Sequence, residues 1–294
     1  MDYLAERAKV NLMYEVAWSN DFIRRVPPVK LTEQEAKIVY YMASKIQPSD
    51  KNFRTITMRL DELCRTCGLD TRQGKNYSDL KNSLKKLSDK SAWYKGIFSG
   101  RRKEWLVRWI DTYEIEEGTG EIKATFSLGM EPFLLNLFER GHFTKSKLLN
   151  FMALKSKYSQ RLYEILKSYT YSNTDMGYKE VEHIFDILEL KKMLNAEQYG
   201  PFKDFRVRVL EIAEKQINEY TDINVKITPI KRGRLTTKIQ FHIQLKQPIG
   251  RMVADKAAED LLDVERKRRR SLLMANDLDG AQVLDGQFSL EDIQ

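Results

Sequence analysis

Residues 199–245, YGPFKDFRVRVLEIAEKQINEYTDINVKITPIKRGRLTTKIQFHIQL, read as an amphipathic helix that feeds directly into a β-hairpin with a cationic tip. Phe202, Phe205, Val209, Ile212, Ala213, Gln216 and Ile217 recur every three to four residues and share one helical face. Lys203, Arg206, Arg208 and Lys215 lie off that face. Asn224 to Ile230 alternates and is rich in β-branched residues, and Lys238 to Leu245 alternates again. Between them, Lys231-Arg232-Gly233-Arg234 is a turn with three cations. Helix followed by basic hairpin is the outline of a winged helix, and cations at a hairpin tip suit a phosphate backbone.

The same order of elements precedes it. Thr32 and Glu35 form a capping box after Pro27-Pro28, and Ile38, Val39, Met42, Ala43 and Ile46 give that helix its buried face. A β-rich piece, Phe53 to Thr57, comes next. Leu60, Leu63, Cys64 and Cys67 then mark a second helix closed by Gly68. A third helix, Tyr77 to Leu87, turns Tyr77, Leu80, Leu84 and Leu87 inward, so Ser78, Lys81, Asn82, Lys85 and Lys86 face out. A strand pair follows, Trp105 to Ile115 and Ile122 to Leu128 across EEGTGE, preceded by a cationic loop at Arg101-Arg102-Lys103. In the second half Glu131-Pro132-Phe133 opens a short helix. Tyr158, Leu162, Ile165, Leu166 and Tyr169 line a longer one, and Val181, Ile184, Phe185 and Leu188 a shorter one before Gly200-Pro201. The expected fold is α+β: two tandem winged-helix domains in a pseudo-two-fold relation, with a flexible C-terminal tail. The domains are expected at 1–130, 131–248 and 249–294, the last holding a helix from Ala254 to Met274 and a mobile acidic tail.

Bulk composition agrees with two packed, basic domains. The 294 residues are 42% hydrophobic, with a formal charge of +8. Residues 249–294 hold seven Lys/Arg against ten Asp/Glu, so the positive excess belongs to the body of the chain. A basic body favours a polyanionic partner. No apolar run reaches the roughly 20 residues of a membrane span, and MDYLAERAKVNLMYE carries no signal-peptide core, so a cytoplasmic location is expected.

Enzymatic signatures fail on inspection, and no cofactor or metal is expected. Gly68 to Asn76 resembles a phosphate loop, but five residues separate its glycines where four are needed, and Asn76 stands where Ser or Thr must ligate magnesium. It is better read as the turn of a helix-turn-helix, with Asn76 as N-cap. Cys64 and Cys67 lack a second ligand pair, and His142, His183 and His242 are isolated, so the cysteines serve as small apolar residues. The run Arg266 to Arg270 is open between a solvated helix end and a nonspecific DNA contact.

The segments 143–169 (FTKSKLLNFMALKSKYSQRLYEILKSY) and 199–227, with IQFHI at 239–243, resemble the initiator replication protein family of iteron plasmids. LTEQEAKIVYYMASKI (31–46) and NYSDLKNSLKKL (76–87) extend the likeness to roughly residues 10–245. The resemblance implies binding of double-stranded DNA at origin direct repeats (iterons), opening of an adjacent AT-rich segment, and recruitment of host replication proteins. It also implies a homodimer in equilibrium with monomer, dimerising through the N-terminal domain and repressing its own promoter. Carried onto this chain, the major-groove reader is the start of helix 202–219, with Lys203, Arg206 and Arg208, and its wing is Lys231, Arg232 and Arg234. Ser78, Lys81, Asn82 and Lys85 take the corresponding places in the first half, with Arg101, Arg102 and Lys103 reaching the backbone. Gln287-Phe288-Ser289-Leu290 resembles the peptide by which bacterial proteins dock on the sliding clamp, although Glu291 replaces its usual terminal aromatic. Host initiator, helicase and clamp are the implied partners. The competing reading is a winged-helix transcriptional regulator without origin function.

Overall fold

The computed structural model describes residues 13–25, 31–68, 74–98, 101–116, 118–170, 180–247, 249–264 and 267. The first unit starts with strand β1 (Glu15–Ser19), and its first long helix is Glu33–Ala43. The capping box of that helix is made as expected, Thr32 Oγ1 accepting from the Glu35 amide at 3.2 Å and Glu35 accepting from the Thr32 amide at 2.7 Å. Ile38, Val39, Met42 and Ala43 are buried. Strand β2, Ile56–Arg59, leads into helix Leu60–Thr66, where Cys64 and Cys67 pack with Leu60 and Leu63 in the core. Helix Gly74–Ser88 buries Leu80, Leu84 and Leu87. It begins at Gly74, so Asn76 lies inside it and is not its N-cap.

The strands that follow differ from the sequence reading. Ser91–Phe98 (β3) and Arg101–Arg108 (β4) form a separate two-stranded hairpin, and the chain then crosses at buried Trp109 into β5 (Ile110–Ile115) and β6 (Glu121–Phe126). Arg101-Arg102-Lys103 is therefore strand, paired with residues 96–98, and not a loop before the wing. Alternation alone runs on through 105–115, and only the burial of Trp109 marks the change of sheet.

The plan recurs after strand β7 (Phe143–Lys147). Helix Lys157–Tyr169, capped by Ser156, buries Leu162, Tyr163, Ile165 and Leu166. Glu180–Asp186 is a strand (β8), not the helix expected there, and the helix, Ile187–Met193, begins only where Asp186 caps the amides of Leu188 and Glu189. A helical stretch from Phe202 to Tyr220 and the hairpin of β9 (Ile223–Arg232) and β10 (Leu235–Leu245) complete the unit. On β8, Val181 faces Ile243 of β10 and Phe185 faces Ile239, a period of two that the 3.6 pattern concealed. Both three-stranded sheets put the last strand in the middle, β2-β6-β5 and β8-β10-β9. The doubled winged helix is thus present in topology as well as in element order.

The halves are joined tightly. β1 pairs with β7 across the expected boundary at 130/131. Tyr40 stacks on Phe151 with ring centroids 3.4 Å apart, and its hydroxyl donates to Glu164. Arg161 donates to Glu164 at 3.2 Å, to the Ile23 carbonyl at 2.7 Å and to the Met193 carbonyl at 3.4 Å. Burial pushes the Glu164 carboxyl well above its ordinary range and the Arg161 guanidinium down to about 10.

Residues 249–264 are helical and packed, with Ala254, Ala258 and Leu262 buried and Lys147 bridging to Asp255 at 2.5 Å. Gly68 sits at φ +75, where a Cβ would come within 3.1 Å of Leu262 Cδ2. This part of the C-terminal segment is held in the fold. Of the run 266–270 only Lys267 is described; the expected acidic tail and the Gln287–Leu290 peptide lie outside the described residues. Among the described residues no helix is long and apolar enough to cross a membrane.

Arg161→Met should cost about 3–5 kcal/mol in urea unfolding, because it removes one donor from the buried Glu164 carboxyl and leaves two part-buried carbonyls without theirs. Glu164→Gln, which keeps the hydrogen-bonding shape, should cost less.

Candidate nucleic-acid interface

The segment 202–220 is not a uniform α-helix. Between α-helical stretches at Phe202–Phe205 and Glu211–Tyr220, Arg206–Leu210 forms a π turn in which the Glu211 amide donates to the Arg206 carbonyl. The extra residue rotates everything beyond it. Leu210 turns into the core beside Phe205, Val209, Ala213 and Ile217, whereas Ile212, expected inside, is 41% exposed. The outward side carries Lys203, Arg206, Val207, Arg208, Glu211 and Lys215. Arg206 Nε lies 3.2 Å from Glu211 Oε1, a five-residue spacing that the π turn makes possible.

The start of this segment faces the wing across a groove of about 740 Å³ that also borders helix Ile187–Met193. Arg206, Lys231 and Arg234 line it, with Lys191 at its base. Sequence reasoning missed Lys191. It is nearly buried and donates to the carbonyls of Tyr199 and Gly200 at 2.5 and 2.8 Å, so it both fixes the entry to segment 202–220 and adds positive potential. Lys231, Arg232 and Arg234 are exposed around Gly233, whose φ of +63 makes the tight turn. Lys226 and Lys238 project from the same hairpin, which the alternation of β9 and β10 signals.

In the first unit Ser78, Lys81, Asn82 and Lys85 are all exposed on helix Gly74–Ser88, as their spacing predicts. A smaller groove of about 430 Å³ borders this helix, but Glu33 and Asp79 line it together with Asn82 and Lys86. The wing of this unit is the β5–β6 hairpin, whose described turn residues include Glu116 and Glu121 and no cation. Arg102 is exposed on the other hairpin, β3–β4; the side chains of Arg101 and Lys103 are outside the described set. The structure thus brings Arg206, Lys231 and Arg234 together on one groove of the second unit, and Lys203, Arg208 and Arg232 are exposed on the same helix and hairpin without lining it. It does not bring the 101–103 cations onto the first unit's wing.

Two helix-turn-helix units with hairpin wings, one presenting a cationic helix and wing together, define a tandem winged-helix protein. The model of the family described as "Initiator Replication protein, WH1" matches residues 15–167, and "Initiator Rep protein, WH2" matches residues 186–243. The chain belongs to the initiator replication protein family. It is 26% identical over 235 residues to a replication initiation protein of Escherichia coli, covering 73% of this chain and 65% of that protein's length. In structure it resembles the Pi initiator protein, solved in complex with iteron DNA, with a TM-score of 0.65, 21% identity, and coverage of 80% of this chain and 98% of that one.

Gly233→Val should lower stability by about 1–2 kcal/mol in thermal unfolding, since the turn needs a left-handed residue. Gly233→Asn should lose less.

Proposed function

We propose that this protein is a plasmid replication initiator that binds direct repeats at an origin, opens adjacent AT-rich DNA and recruits host replication proteins. As a dimer it represses its own promoter. The observation that carries this reading is the convergence of helix start and wing on one cationic groove in a chain of the initiator replication family. Lys203, Arg206 and Arg208 enter a major groove, and Lys231, Arg232 and Arg234 lie on the flanking phosphates. Ser78, Lys81, Asn82 and Lys85 address a second groove about one helical turn away, and Arg102, with Arg101 and Lys103, adds backbone contacts. Two reading helices in one chain suit a non-palindromic repeat. An array of such monomers that bends or untwists its site lowers the cost of melting a neighbouring AT-rich stretch. The partners in this reading are double-stranded origin DNA, a second copy of the chain, and the host initiator, helicase and sliding clamp.

Footprinting on DNA flanking the gene should give evenly spaced protection over direct repeats. A single palindromic footprint at a promoter would instead identify a transcriptional regulator.

Replacing Lys231, Arg232 and Arg234 together by alanine should reduce the slope of log K against log salt by about 2–3, roughly 0.9 for each phosphate released. Arg206→Ala should weaken repeat binding more than Lys215→Ala, because Arg206 lies nearer the end of the segment that enters the groove.

A further inference from the structure

Two apolar residues of segment 202–220 are exposed, Ile212 at 41% and Val207, and Val207 is the one set among the cations. Val207 is 44% exposed, between exposed Arg206 and Arg208, while Phe205, Val209 and Leu210 behind it are buried. Val207 lies inside the π turn closed by the Glu211 amide on the Arg206 carbonyl, four residues after exposed Lys203 and four before exposed Glu211, a spacing that puts the three on one side of the helix.

The chemistry of that position is restrictive. Arg206 is held by Glu211 on one side, and lysine and arginine neighbours have polar targets available on phosphates and purine edges. An aliphatic side chain at the centre of the face has one apolar counterpart in a major groove, the C5 methyl of thymine. Valine suits such a contact, because in a helix it populates essentially one χ1 rotamer and its two methyls are placed without further loss of conformational freedom.

We infer that Val207 is a specificity-determining residue that reads a thymine methyl within the direct repeat. The inference rests on the reading that this segment enters the major groove of repeat DNA, and it adds an apolar determinant to a set of cations that would otherwise bind many sequences.

The test uses the full chain and a duplex carrying one repeat, with each thymine replaced in turn by deoxyuridine, which removes only the methyl. Wild-type protein should lose about fourfold in affinity at one or two positions, the effect of one methyl group leaving an apolar contact. Val207→Ala should lose a similar factor on the unmodified duplex and nothing further at those positions, whereas Val207→Ile should keep the sensitivity. Unchanged thermal unfolding of the variants shows that the fold is intact. Strictly additive losses at every position, or no deoxyuridine effect in the wild type, would overturn the assignment while leaving repeat binding in place. Absence of wild-type binding to the repeat overturns both the assignment and the reading beneath it.

Discussion

The guanidinium of Arg161 ties together parts of the molecule that must not move against one another. It reaches Glu164 on its own helix, the carbonyl of Ile23 in the short helix Asn20–Arg25, and the carbonyl of Met193 at the end of the helix that precedes segment 202–220. Glu164 in turn accepts from Tyr40, whose ring stacks on Phe151. A buried ion pair adds little net stability once desolvation is counted. What it adds is direction, since the fork of a guanidinium accepts only a narrow range of partner positions. An all-apolar junction would bury the same surface and tolerate sliding. Under the proposed reading two helices of one chain address DNA and need a set separation and rotation, which the Arg161 hub and the β1–β7 pair beside it constrain.

The contrast between the units lies in charge. Both sheets share one strand order, yet one wing tip carries Lys231, Arg232 and Arg234 and the other carries Glu116 and Glu121. An acidic wing repels a phosphate backbone, so under the proposed reading the first unit addresses DNA through helix Gly74–Ser88 and the separate β3–β4 hairpin. In that reading the second unit makes the larger electrostatic contribution. Symmetry of topology therefore does not imply symmetry of grip.

Most of the architecture was legible because its signals are local. The Thr32–Glu35 box, the Leu80/Leu84/Leu87 stripe and the cationic turn at Gly233 each specify their element within a few residues. The misreadings share a different cause. Glu180–Asp186 has apolar residues compatible with two periods, and its pairing with β10 decides between them. The β3–β4 hairpin and the sheet change at Trp109 depend on burial against distant residues. The candidate cations on the second unit came out where their spacing put them, because long charged side chains stay outside whatever the exact register. Val207, apolar and exposed, had no such rule to reveal it.

The π turn at 206–210 links the core of the second unit to its outward face. Simple periodicity from Phe205 and Val209 anticipates Ile212 inside and Leu210 at the flank of the apolar face, whereas Leu210 is buried and Ile212 is 41% exposed. The residue inserted by the π turn shifts the direction addressed by the residues that follow it. Without it Arg206 and Glu211 would lose the spacing that lets them pair. A π turn has poorer hydrogen-bond geometry than the α-helix around it, so its presence requires compensation in packing. Leu210 in the core supplies that compensation, and the altered outward face is its consequence. Core packing behind the segment and the order of side chains in front of it are thus set by the same inserted residue.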